Sequence, residues 1–103
     1  MHTWGMYDTL ETLRENIRAR QAQLGLPLMR ISRAAGHDAR WIHKILQSGR
    51  YKKGIGSSVL DQVAEALGIP PWELVRPGLD PASWPPPEHL REEIARRRRP
   101  RAS

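Results

Sequence analysis

The polar side chains of residues 37–47 are the part of the chain best suited to hold an anionic partner. At about 100° per residue, a helix through this segment places Arg40, Lys44 and Gln47 on one face. All three side chains donate hydrogen bonds, and two of them are cations. Like charges four residues apart repel by about 0.2–0.5 kcal/mol, and no acid lies on that face to relieve them. The pattern therefore indicates a surface that binds negative charge.

The opposite face of the same segment is apolar. Ile42, Ile45 and Leu46 recur at helical spacing and are expected to point into a core. A turn of small residues, AAG at 34–36, precedes the segment, and Asp38 can cap the new helix. The residues before the turn predict another short helix. The sequence thus indicates two short helices joined by a glycine-containing turn.

The positive charge of the chain is concentrated in two segments. The 103 residues carry a net charge of +6 at pH 7, and the sequence pI is about 10.8. Residues 26–56 hold seven Lys or Arg against one acid, and residues 96–103 hold five Arg and no acid. Residues 57–95 hold seven acids against two Arg, and residues 1–25 are balanced. Such a local excess of cations favours an anionic partner.

Helical periodicity predicts one small all-α domain. Its five helices are expected at residues 10–24 and 28–35, after a cap at Asp38, between a serine cap and Gly68, and as a last turn, WELV, opened by Pro70 and Pro71. Ser57 or Ser58 is expected to cap the fourth helix, and Leu60 to lie on its core face. The domain is expected to span residues 9–76. The proline-rich residues 77–87 predict an extended linker, and residues 88–103 a short helix with an arginine-rich tail.

Three motifs, in their order and spacing, resemble the lambda-repressor/Cro-type helix-turn-helix DNA-binding family. They are IRARQAQLGL in helix one, AAGHDARWIHKI across the turn and LDQVAEALGIPPWELV at the end, and the resemblance covers about residues 9–76. Pro27 and Leu28 stand where the family usually has a capping Ser or Thr and a phosphate-binding Gln. The resemblance implies a five-helix fold that places the outer face of helix three in the major groove of DNA.

The resemblance also implies which residues contact DNA. Arg and Lys can reach guanine O6 and N7, and Gln can pair with adenine N6 and N7. The cationic loop after helix three suits contact with phosphates. The predicted DNA-binding residues are His37, Ala39, Arg40, Trp41, His43, Lys44, Gln47, Arg50, Tyr51, Lys52 and Lys53.

The function implied is sequence-specific binding of double-stranded DNA by a minimal, Cro-like bacterial or phage transcriptional regulator without a sensor domain or cofactor. Such a protein is expected in the cytoplasm, on the nucleoid. Most relatives bind palindromic half-sites as homodimers. The candidate dimer contacts are the turn at residues 70–75 and the tail helix near Leu90 and Ile94.

Several of these residues also have a structural interpretation. The charged helix face and the loop at residues 50–53 can simply be solvated, Trp41 can pack against the domain, and His37 can close the turn. The arginines of the tail can form an arm that follows phosphates or enters a minor groove, or they can be a solubilising terminus. These arginines are Arg96, Arg97, Arg98, Arg99 and Arg101.

Other chemistry has little support in the sequence. His37 and His43 lie six residues apart, and no cysteine or HxxxH pair exists, so a metal site is not expected. No glycine-rich phosphate loop or serine with a partnered base points to catalysis, and the protein is not expected to be an enzyme. The sequence has no apolar run long enough for a membrane helix and begins without a signal-peptide pattern.

Two other functions fit the same sequence. A protein-interaction module, such as a co-regulator or an antitoxin-like partner, would keep the fold and use Trp72, Trp84 and the acidic fourth helix. Alternatively, the basic tail would bind RNA or an anionic membrane surface. Affinity for random duplex DNA at low salt separates the first alternative from DNA binding, and the same assay on residues 1–76 separates the second.

Overall fold

The regular secondary structure of the protein is helical throughout the part that the computed structural model describes, residues 4–47 and 56–98. A single 3-10 turn, Pro81–Ser83, lies between the last two α-helices. The α-helices are α1 (Trp4–Leu24), α2 (Leu28–Ala34), α3 (Trp41–Gln47), α4 (Ser57–Leu67), α5 (Pro71–Leu74) and α6 (Glu88–Arg98). The prediction of an all-α protein is confirmed. No helix in these ranges is long and apolar enough to cross a membrane.

One aliphatic core holds the helices together, and every α-helix contributes to it. Most of the side chains that helical spacing assigns to the core are buried there, but Leu60 is only half-buried at its edge. The core positions include Leu10, Leu13, Ile17, Leu24, Leu28, Ile31, Ile42, Ile45, Leu46, Val63, Ala64, Leu67, Leu74, Leu90 and Ile94. The core therefore extends beyond the predicted domain boundary at residue 76.

The helix ends follow the sequence in part. Gly25 and Gly68 adopt left-handed backbone angles just after α1 and α4, as glycines at helix ends do. Pro27 precedes α2 without a side-chain cap, as the sequence indicates. The prediction of a serine cap on α4 is wrong, because the helix already includes Ser57 and the capping position is Gly56.

The proline-rich segment (residues 77–87) is not the extended linker that its composition predicts. Its 3-10 turn packs against α1, and Leu79 and Trp84 lie against the core. Its last residue, Pro87, packs on Gly68 so closely that a Cβ there would lie 2.7 Å from the Pro87 Cδ. Proline fixes the backbone without preventing burial, and here the segment has a partner on α1 that its composition does not reveal.

That partner is Arg20, a fully buried arginine in α1. Its Nε donates to the carbonyl of Leu67 at 3.0 Å. Its terminal nitrogens donate to the carbonyls of Pro81 and Trp84, each at 2.8 Å, and of Pro85 at 3.0 Å. Burial lowers the pKa of Arg20 from its usual value, since desolvation disfavours the charged form. Carbonyl acceptors thus replace water around the cation and attach the proline-rich segment to the bundle.

The short helix predicted in residues 88–103 is present as α6, and it is a packed part of the bundle. Leu90 is fully buried and Ile94 is almost so. The His89 Nε2 lies within hydrogen-bonding distance, 3.0 Å, of the Ala66 carbonyl at the end of α4. Both side chains pack in the core of their own chain, so a dimer contact through the tail helix would use its other residues.

Candidate nucleic-acid interface

Helices α2 and α3 are held together by a buried hydrogen bond and by apolar contacts. The Ser32 hydroxyl, fully buried in α2, accepts a hydrogen bond from the Ile42 N–H at 3.3 Å. Ile31 and Ile42 are also fully buried. Gly36 has φ +85°, and the N–H of His37 donates to the Ser32 carbonyl at 3.0 Å. The left-handed glycine reverses the chain at the end of α2, so that α3 packs directly on α2.

Helix α3 separates its apolar and polar residues as the sequence predicts. Ile42, Ile45 and Leu46 are buried. The basic face, which we define as Arg40, Lys44 and Gln47, is exposed. Helical hydrogen bonding already includes Arg40, since its carbonyl accepts from the Lys44 N–H at 2.8 Å. The two cations therefore lie one turn apart on the same side.

The expectation that no acid relieves the basic face is wrong. The Asp38 carboxylate accepts a hydrogen bond from the Lys44 Nζ at 2.9 Å and another from the Arg40 N–H at 3.1 Å. These two hydrogen bonds lower the pKa of Asp38, because they stabilise the ionised carboxylate. Both side chains of the ion pair are more than half exposed, so water screens their attraction. Lys44 can exchange this carboxylate for a phosphate or a base.

An aromatic pair lies beside the basic face. The rings of His37 and Trp41 are stacked, with centroids 3.6 Å apart and planes 4° from parallel. Trp41 is half-buried and packs against the core, which agrees with its structural interpretation. His37, Ala39 and His43 are half-buried too. These aromatic and small residues border the basic face and offer fewer exposed hydrogen-bond donors than it does.

Two further exposed cations lie on α2, and the sequence pattern did not single them out. Arg30 and Arg33 are exposed. Arg30 forms an ion pair with Glu93 of α6 at 3.4 Å, and both residues line a cavity of about 330 Å³ with Met29 and Arg33. The excess of cations in residues 26–56 indicated that α2 carries positive charge, but it does not show which face of α2 is exposed.

The first arginines of the tail belong to α6. Arg96, Arg97 and Arg98 lie in its last turn. Arg96 pairs with Glu92 at 3.0 Å and with Glu93 at 3.5 Å. The hydrogen bond to Glu92 raises the pKa of Arg96 above its usual value. Arg96 is thus a helical residue whose charge is already partly balanced.

The remaining predicted contacts lie outside the described residues. They are Arg50, Tyr51, Lys52 and Lys53 after α3, and Arg99 and Arg101 after α6. Within the described ranges, no group of three or more His, Asp or Glu side chains could hold a metal ion. Comparisons of the chain with protein-family models, curated proteins and solved structures give no match.

Proposed function

We propose that the protein binds double-stranded DNA in a sequence-specific manner and acts as a small transcriptional regulator. The observation that carries the proposal is the exposed basic face of α3, opposite an apolar face that anchors this helix on α2. A protein that reads base edges needs a helix whose donors project from a rigid support. The buried bond between Ser32 and the Ile42 N–H supplies such support.

The hydrogen-bond donors of this surface would have different roles on DNA. Arg40 has the fork geometry that suits guanine O6 and N7, and Gln47 suits adenine. Lys44 leaves Asp38 on binding, so its net contribution is smaller than that of Arg40. Arg33 and the cations at positions 50, 52 and 53 would contact phosphates, which fixes the position of the protein on the duplex without reading sequence.

We further propose that residues 9–76 have the lambda-repressor-like arrangement and that the DNA-bound form is a homodimer. The support is the order of α1 to α5, the buried contact between α2 and α3, and the glycine-containing turn between them. A dimer would contact two half-sites about one helical turn apart. Selection of bound sequences from a random duplex library tests the homodimer, because a dimer enriches a palindrome and a monomer enriches one half-site.

The base-reading role is tested by Arg40→Ala and Lys44→Ala. Each substitution should cost about 1–3 kcal/mol of affinity for the selected site, with the larger loss for Arg40, and much less on random duplex DNA. Arg18→Ala is the matched control, since Arg18 is an exposed arginine on α1. Equal losses on the two DNAs would make Arg40 and Lys44 phosphate contacts, and the absence of any loss would exclude α3 as the reading helix.

A further inference from the structure

A shallow apolar groove lies where α4 ends, α5 begins and the proline-rich segment crosses them. Its volume is about 480 Å³. Its apolar lining includes Ile69, Pro70, Pro71 and Trp84. None of its lining residues belongs to the basic face of α3. The groove is therefore a separate surface, and it needs its own explanation.

A strongly exposed large apolar side chain stands beside this groove. Trp72 is 62% exposed. Its ring meets that of Trp84 edge-on, with centroids 6.5 Å apart and planes at 87°. The two indoles form a corner whose outer surface is free to contact another molecule. Tryptophans in such positions commonly anchor protein interfaces, because they bury a large area when a partner arrives.

The rim of the groove is acidic. Asp61 and Glu65 are four residues apart on α4, and both line the groove and are exposed. Neither forms an ion pair with any residue whose side chain the structure describes. Like charges at this spacing repel each other, so a cation from outside would relieve them. The groove thus combines an apolar lining of proline and tryptophan with a rim that selects positive charge.

We propose that this groove, together with Trp72 beside it, binds an extended peptide segment of a partner protein that combines proline with arginine. Proline-containing segments bind to grooves lined with aromatic side chains, because their extended backbone is already ordered. Arginine can pair with Asp61 or Glu65 through two parallel hydrogen bonds and can stack on the exposed face of Trp72. The proposal does not depend on DNA binding, since it uses no residue of α3.

The test is fluorescence anisotropy of a labelled synthetic peptide, PPRPPRPPRP, titrated with the full-length protein. Two peptides serve as controls, GGRGGRGGRG without proline and PPEPPEPPEP without positive charge. We expect saturable binding of the first peptide and binding of each control that is at least about tenfold weaker. Equal binding of all three peptides, or no saturation at about 1 mM protein, would overturn the proposal.

Protein variants locate the binding to the groove. The double substitution Asp61→Asn and Glu65→Gln, and separately Trp72→Ala, should each weaken binding about tenfold. The matched control is Glu11→Gln with Glu15→Gln, which removes two exposed acids at the same spacing on α1. This control should change the affinity by less than about twofold. If both double variants lose affinity equally, the peptide responds only to net charge and the groove is not its site.

Discussion

Asp38 couples the stability of the turn before α3 to the charge of the basic face. Its carboxylate binds both the Arg40 N–H and the Lys44 ammonium group, and these contacts lower its pKa. A carboxyl group with a lowered pKa contributes stability at pH values above its unfolded pKa, about 3.9. That contribution is lost as the pH falls through the lower, folded value.

Asp38→Asn separates the two roles of this side chain. The amide oxygen can still accept from the Arg40 N–H, but the ion pair with Lys44 is lost. At pH 7 we expect the variant to melt at a slightly lower temperature than the wild type, and the difference should shrink as the pH falls below about 3.9. Thermal melts at a series of pH values measure this. A difference that stays constant with pH would show that ionisation of Asp38 is not its source.

The same substitution bears on binding. If α3 contacts DNA as proposed, Asp38→Asn frees Lys44 from its carboxylate partner and removes one negative charge beside the duplex. The variant should then bind random DNA several-fold more tightly at low salt. Glu15→Gln is the control for the change in net charge, since Glu15 is exposed on α1. A tightening as large in the control would assign the effect to the net charge of the molecule.

At the scale of helices, sequence periodicity predicts which face of a helix is buried, because that face is set by residues close together in the chain. Ile42, Ile45 and Leu46 are buried as their spacing predicts, because the rotation per residue of a helix is fixed. The ion pair between Asp38 and Lys44 was missed, since it joins a turn residue to a helix residue six positions later.

Helical periodicity does not predict contacts between residues that lie far apart in the chain. Arg20 has the residue type of a surface position, yet it is fully buried. Its backbone acceptors lie 47 to 65 residues further along the chain. The proline-rich composition of residues 77–87 does not reveal that carbonyls of this segment accept hydrogen bonds from Arg20. Sequence patterns thus predicted the face of α3 and most of the core, and missed the segment that covers the bundle.

Arg20→Leu tests whether this arginine holds the proline-rich segment in place. Leucine keeps an aliphatic side chain at this buried position but cannot donate a hydrogen bond. The carbonyls of Leu67, Pro81, Trp84 and Pro85 therefore lose their donor. Because hydrogen bonds to charged groups contribute about 1.5–3 kcal/mol each and are not additive, we expect a loss of at least about 3 kcal/mol in the free energy of unfolding. Urea denaturation measures the loss.

Arg18→Leu is the control for Arg20→Leu, two residues earlier on the exposed side of α1. It should change the free energy of unfolding by less than about 0.5 kcal/mol. If Arg20→Leu is equally mild, water or a rearranged segment satisfies the four carbonyls, and the arginine is not what attaches residues 77–87.

For the whole molecule, the charge map and the packing divide the chain in different ways. The positive charge ends with residues 26–56 and starts again at residue 96, whereas the core continues through α6. The acidic residues between them include Glu92 and Glu93, which pair with arginines of α2 and α6. The C-terminal region therefore combines a helix that completes the core with a cationic end that begins in the last turn of that helix.

Two truncations separate these parts. A chain of residues 1–76 loses Leu90, Ile94 and three of the carbonyl acceptors of Arg20, so it should melt far below the full chain or fail to fold. A chain of residues 1–98 keeps α6 and should melt within about 2 °C of the full chain, as expected for removal of surface residues. Cooperative folding of residues 1–76 at full stability would restore the predicted domain boundary.

The chain of residues 1–98 also tests whether the tail acts as an arm on DNA. It removes Arg99 and Arg101. If these arginines follow phosphates, the slope of log affinity against log salt should fall by about 0.9 for each lost contact, and specific and random DNA should weaken equally. The full-length chain with Arg99→Gln and Arg101→Gln is the matched control, because it keeps the length and removes only the charge. An unchanged salt slope in both proteins would make residues 99–103 a solvated terminus and would leave the DNA affinity to α3, its flanking cations and the arginines of α6.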